Sequence, residues 1–220
     1  MSEQTGTFYA VSVGPGDPEL LTLQAVRVLE NTPVIAAPQT ASGQMLALDI
    51  ARGAVDLTGK SVLPLRFTMS RDAAVRAESY RAAASAVEAE LRQGRDVAMV
   101  NLGDVALFAT AYYIFAEIER DGFPARMLPG VTSVAAVAAR LGQSLTEMEQ
   151  PLHILPASCD LDAALALPGI LRAGEGKNLP VRGLPPLPAK LCGNMTAIVL
   201  LPERDHGPGV IPGQNGLVNR

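Results

Sequence analysis

Three stretches of the chain combine glycine with an acid or a hydroxyl directly after an apolar run: Gly14-Pro15-Gly16-Asp17-Pro18-Glu19, Leu102-Gly103-Asp104-Val105-Ala106-Leu107, and Pro129-Gly130-Val131-Thr132-Ser133. Glycine lets a ligand approach the main chain, an aspartate accepts from a hydroxyl or faces a cation, and hydroxyls do either. The first stretch is not a phosphate cradle. A dinucleotide fingerprint would need glycine where Glu19 stands, and neither glycine of the loop leads to the Gly-Lys-Ser/Thr of a P-loop. Pro15 and Pro18 lack N–H donors, and Asp17 with Glu19 adds charge of the wrong sign for an anion. Such a loop suits a ligand that is uncharged or positive there. Each stretch also has a purely structural reading: a tight turn at 14–19, and helix capping by Asp104 and by Thr132.

The elements that must carry these turns alternate between strand and helix. Thr7 to Val13 reads as a strand ending at Gly14, and Leu20 to Asn31 as a helix with Leu21, Ala25, Val28 and Leu29 on one face. Val34 to Ala36 and Ser61 to Leu65 are further short strands. Asp72 caps a helix whose stripe is Tyr80, Ala83, Ala84, Val87 and Leu91, with Gly94 as its stop. Val97 to Leu102 is a buried strand and Ala109 to Glu119 a helix, in which Tyr112, Tyr113 and Phe115 read as packing residues. A second α/β block is expected from about residue 121: a strand at Arg126 to Leu128, a helix at Thr132 to Leu141, and strands at Leu152 to Leu155 and Met195 to Leu201. His153, inside an apolar run, reads as a packed strand residue. Open α/β sheets bind ligands at the carboxyl ends of their strands, where the three turns lie.

Composition narrows the function. The chain has 220 residues, 48% of them hydrophobic, which is enough for a core of one or two domains. Net charge is −4, with 12 basic against 19 acidic residues in the first 169, so the basic field needed for nucleic acid is missing. No apolar run approaches the roughly 18 residues that cross a bilayer, and MSEQTGTF lacks the features of a leader, so a cytoplasmic protein is expected. Cys159 and Cys192 are far apart, with His153 and His206 the only histidines, which supports neither a disulfide framework nor a metal site. Residues 170–220 differ in character, holding 7 of the 17 prolines and 8 of the 20 glycines.

Taken in order, Gly6 to Pro38, Leu63 to Asp72 (LPLRFTMSRD), Leu102 to Tyr113 (LGDVALFATAYY) and Met127 to Gly142 (MLPGVTSVAAVAARLG) resemble the tetrapyrrole (corrin/porphyrin) methylases. The resemblance covers about residues 6–168, and the wording of the first two stretches is most similar to the precorrin-2 or cobalt-factor II C20-methyltransferases. It implies an α/β fold of two domains, 1–120 and 121–220, with the ligand cleft between them, usually as a homodimer. It implies S-adenosylmethionine as cofactor and a tetrapyrrole as substrate, in cobalamin synthesis. By position, Pro15, Leu102, Gly103, Asp104, Leu107, Thr132 and Ser133 match cofactor-binding residues of the family. Gly14 and Asp17 match the side facing the tetrapyrrole, which makes Asp17 the candidate for a polar role near the reacting carbon. Arg71 is assigned from its charge to a carboxylate of the substrate.

A methyl carried on a sulfonium needs its carbon acceptor nearly in line, so positioning and desolvation are the expected contributions of the chain. Where the family commonly has Gly-Asp-Pro and a Tyr-Ser pair, this chain has Val105, Phe108 and Ala109, which keep bulk and remove hydroxyls. After Pro168-Gly169 the family's further strand and helices give way to ILRAGEGKNLPVRGLPPLPAKLCGN, so the second domain is expected to be incomplete. The rival readings are another tetrapyrrole methylation, at uroporphyrinogen III or C11, and a shortened homologue that no longer catalyses.

Overall fold

The computed structural model describes residues 5–68, 70, 72–146, 152–156 and 197–200. Arg71, Cys159, Cys192, His206 and most of 170–220 lie outside them. The chain divides into two compact units, Met1–Gly142 and Gln143–Arg220.

The first unit is built on five parallel strands, β1 (Phe8–Ser12), β2 (Val34–Gln39), β3 (Ser61–Arg66), β4 (Val97–Asn101) and β5 (Ala125–Leu128), in the order β3-β2-β4-β1-β5. Helices α1 (Leu23–Asn31), α2 (Leu46–Ala54), α3 (Ala73–Leu91), α4 (Thr110–Arg120) and α5 (Ser133–Arg140) connect or follow them. The inner strands β1, β2 and β4 are mostly apolar because both their faces are covered, whereas the edge strands β3 and β5 expose Ser61, Arg66 and Arg126. Phe8, Ala10, Val34, Ala36, Val97 and Met99 pack with α3 and α4. Val11, Val13, Ile35, Ala37, Ala98 and Val100 pack with α1 and α2. The period of two along each strand thus sorts the core into two layers. β3 is at an edge, which is where its Pro64 costs no ladder bond.

Two expectations change in detail. The helix expected over Leu20 to Asn31 is broken: Asp17 caps a 3-10 turn at Pro18–Leu20, and Thr22 then accepts from the Ala25 N–H to start α1. The strand expected to open a second block at Arg126 is β5, which pairs in parallel with β1 (Tyr9 opposite Arg126), so β5 and α5 lie in the first unit. Asp72 does cap α3, and Gly94 ends it at φ +73°.

In the second unit β6 (His153–Pro156) pairs antiparallel with β7 (Ala197–Leu200), His153 lying opposite Leu200. Among the described residues no helix is long and apolar enough to cross a membrane.

Candidate functional site

The chain leaves β1 and β4, which are neighbours, in opposite directions: from β1 to β2 beyond β4, and from β4 to β5 beyond β1. Their carboxyl ends therefore form the switch point at which an open α/β sheet makes a crevice. The residues there are tied to one another by main-chain bonds. The Gly103 N–H donates to the Gly14 carbonyl at 2.8 Å, and the Gly14 N–H to the Gly103 carbonyl at 3.3 Å. Both glycines have positive φ, +72° and +77°, a conformation costly for any side chain.

Ser12, the last residue of β1, completes the lacing. It is fully buried; its hydroxyl donates to the Leu128 carbonyl at 2.7 Å and accepts from the Val105 N–H at 2.9 Å. Gly130 lies directly over it, so close that a Cβ there would stand 2.3 Å from the Ser12 Cβ. Asp104 joins the other two loops, accepting from the Ala106 N–H at 2.8 Å with Oδ1 and from the Gly130 N–H at 2.7 Å with Oδ2. Sequence reasoning missed Ser12, because one serine ending an apolar strand carries no signal of a bond to residues 93 and 116 positions away.

The sequence-selected residues fall into three groups. Gly14, Gly103 and Asp104 belong to the laced loops, with Leu102 and Leu107 half-buried beside them. Thr132 caps α5, accepting from the Ala135 N–H at 3.2 Å, and Ser133 is exposed at the helix start. Pro15 is half-buried; Asp17 is exposed and held in its own turn by the Glu19 N–H. Arg71 lies outside the described residues.

Next to this region the chain is strained. Phe108 is the one described non-glycine residue with positive φ, +52°, and its ring is 45% exposed. Ala109, at the cap position of α4, offers no side-chain acceptor to the helix. Of the three aromatic residues expected to pack, only Phe115 packs on the core, while Tyr112 and Tyr113 are each about half exposed. The physical reason is helix face: Ala111, Ile114 and Ile118 take the inner side of α4, which turns Tyr112 and Tyr113 outward. Tyr113 stacks on Tyr80 of α3 with centroids 4.7 Å apart and planes 4° from parallel.

Charge and cavities lie elsewhere. An open depression of about 300 Å³ is lined by Arg66, Thr68, Val75, Glu78, Ser79 and Ala82, on β3 and α3. Gly59-Lys60-Ser61 has the letters that end a phosphate loop, but it leads into strand β3, and Lys60 Nζ donates to the Glu30 and Thr32 carbonyls. Among the described residues no group of three or more His, Cys, Asp or Glu could hold a metal.

Comparison with known proteins gives the family and the fold. The family model for Tetrapyrrole (Corrin/Porphyrin) Methylases matches residues 7–175. A cobalt-precorrin-2 C(20)-methyltransferase of Salmonella typhimurium is 37% identical over 155 residues, covering 68% of this chain and 63% of that protein. A precorrin-2 C(20)-methyltransferase of a Sinorhizobium species is 29% identical over 191 residues, covering 80% and 76%. The match therefore spans less than two thirds of the first relative's length. In fold, the chain is similar to a cobalamin-synthesis-related protein of Corynebacterium diphtheriae, with a TM-score of 0.53 at 23% identity over 67% of this chain and 62% of that one.

Proposed function

The chain belongs to the tetrapyrrole (corrin/porphyrin) methylase family, and from that premise we propose that it methylates C20 of precorrin-2 or of its cobalt complex in cobalamin biosynthesis. Tetrapyrrole methylases use S-adenosylmethionine, and we propose the same cofactor here, with the chain acting as a cytoplasmic homodimer. The C20 position is supported by the likeness to the Salmonella and Sinorhizobium enzymes, and the family match over residues 7–175 contains all three laced loops. The observation that carries the reading is the lacing of those loops at the switch point, in a form without a phosphate cradle.

The residues present fit the cofactor. A Cβ built on Gly16 or Gly103 would meet nothing within 4 Å, so open space lies beside the main chain at both. The 14–19 loop carries acids and prolines, which suits a sulfonium and not a phosphate. Pro15, Leu102 and Leu107 would give apolar walls; Gly103, Asp104, Thr132 and Ser133 would give polar contacts. When bound, S-adenosylmethionine supplies an electrophilic methyl group.

The chain's own residues bind, orient and exclude water. C20 of the macrocycle is the nucleophile, so no side chain has to be activated: a carbon–carbon bond forms, a carbon–sulfur bond breaks, and the proton displaced from C20 passes to water. Effective rate gains from such positioning reach about 7–11 kcal/mol of barrier. Asp17 is assigned a polar contact with the macrocycle near the reacting carbon.

The test is incubation of the purified chain with methyl-labelled S-adenosylmethionine and precorrin-2, with and without cobalt. The expected product carries one label, at C20. Label at C11 would move the chain to another tetrapyrrole methylation, and no label from either substrate would contradict the C20 reading.

A further inference from the structure

An aromatic run crosses from the end of β3 to the start of α4. Phe67 meets Tyr80 at 6.0 Å between centroids, Tyr80 stacks on Tyr113 at 4.7 Å, and Tyr113 meets Tyr112 edge-on at 5.9 Å. Its inner members are anchored, with Phe67 and Tyr80 packed against the core. Its outer members, Tyr112 and Tyr113, are 51% and 50% exposed. Rings held rigidly by neighbours yet left half in water are unusual for a packing role, and they lose little side-chain freedom when a ligand covers them. The run also adjoins the candidate cofactor loop, since Phe108 stands four residues before Tyr112 with its own ring exposed on a strained main chain.

One basic side chain stands beside the run: Arg76, one helical turn before Tyr80, donates to the Ser70 carbonyl and is close enough to act on the Tyr80 phenol, whereas Arg66 lines the depression on β3 and α3 with Glu78 and bonds Gln39. Burial raises that phenol above its usual range, Tyr113 adds to the rise, and Arg76 opposes it. Rings beside an arginine complement a large flat ligand with a carboxylate at its margin.

We infer that Tyr112 and Tyr113, backed by Tyr80 and Phe67, form the seat for one face of the tetrapyrrole, with Arg76 placed for a carboxylate at its periphery. This rests on the tetrapyrrole reading above and adds to it the residues that receive the macrocycle.

The full chain offers a direct readout. It has no tryptophan, and three of its four tyrosines, Tyr80, Tyr112 and Tyr113, belong to the run. Uroporphyrin III, a stable carboxylated tetrapyrrole, serves as probe in a titration followed by loss of tyrosine emission, and S-adenosylhomocysteine is titrated separately by calorimetry. Tyr113→Leu and Tyr112→Leu are expected to weaken uroporphyrin III binding about five- to tenfold each, with S-adenosylhomocysteine binding unchanged. Undiminished uroporphyrin III binding in both variants overturns the seat alone. A parallel loss of S-adenosylhomocysteine binding also overturns it, because the tyrosines would then act through the loop. No uroporphyrin III binding by the unmodified chain, with S-adenosylhomocysteine still bound, overturns the tetrapyrrole reading and the seat together.

Discussion

Along the seam between α3 and α4 the chemistry changes from aromatic to ionic. Toward the helix starts the contact is Tyr80 on Tyr113, beside the laced loops. Further along, Arg81 bonds Glu117 at 3.0 Å and Asp121 at 2.7 Å, Arg120 bonds Glu117, and Arg92 bonds Glu88 at 2.6 Å while lying over the Phe123 ring. The charged half closes on itself: Glu88, Glu117 and Asp121 each have an arginine. The site end contains glycines, buried main-chain bonds and half-exposed rings. The difference teaches that in this chain charge marks where helices are held together, while the candidate site is built from main chain, shape and apolar surface. That suits a reaction whose demand is alignment of two bound reactants.

The comparison is broken most severely at Gly130. Gly130→Ala pushes a methyl to 2.3 Å from the buried Ser12 Cβ, where neither neighbour is a flexible chain end. A loss of about 2–3 kcal/mol in denaturant unfolding is expected, with S-adenosylhomocysteine binding lost at the same time. Stability falling without loss of binding would show that the laced loops are only scaffold.

The ionic half should behave in the opposite way. The Glu88 side chain is 3% exposed, but its partners Arg92 and Arg81 are 58% and 45% exposed and can turn to water when it is removed. Glu88→Ala is therefore expected to cost about 1–2 kcal/mol, below the range for breaking a fully buried pair, with S-adenosylhomocysteine affinity unchanged. A change in that affinity would erase the distinction between the two halves.

Ala109→Ser sharpens it from the site side. Ala109 has the extended conformation of a cap, φ −96° and ψ 133°, without an acceptor, so a serine should stabilise the chain by about 0.5–1 kcal/mol, read as a rise in Tm of about 2 °C. No rise would mean that the buried position rejects the hydroxyl.

The smallest effect is with pH. The hydrogen bond from Arg81 holds the Asp121 carboxyl below its usual range. A carboxyl lowered on folding stabilises above its unfolded pKa of about 3.9 and loses that contribution as pH falls through the lower folded value. Urea midpoints of the unmodified chain and Asp121→Asn should thus differ by a constant amount between pH 7 and 5 and converge below about pH 4. A gap that persists in acid would show the pairing to be irrelevant.

Much of the first unit was legible because its signals are local. Short apolar and β-branched runs marked β1 to β5, and the side-chain acceptors of Asp72 and Thr132 marked helix starts that the structure contains. What was not legible depends on distant partners. The four residues of β5 look the same whether they open a new domain or lie beside β1. LALDIARGA, which forms α2, is a short run among loops with no capping side chain to announce it. The glycine turns could be read as turns from sequence, but their joining through Ser12, Asp104 and the Gly14–Gly103 pair could not. The exposure of Tyr112 and Tyr113 was hidden for the same reason, since aromatic residues in a helix read as core until the face that meets the sheet is known.

The central claim is that the laced loops at the ends of β1, β4 and β5 form a pocket for S-adenosylmethionine. Calorimetric titration of the purified chain with S-adenosylhomocysteine tests it most directly. One saturable site per chain, abolished by Gly130→Ala and preserved by Glu88→Ala, is the predicted result; no detectable heat at millimolar ligand would contradict it.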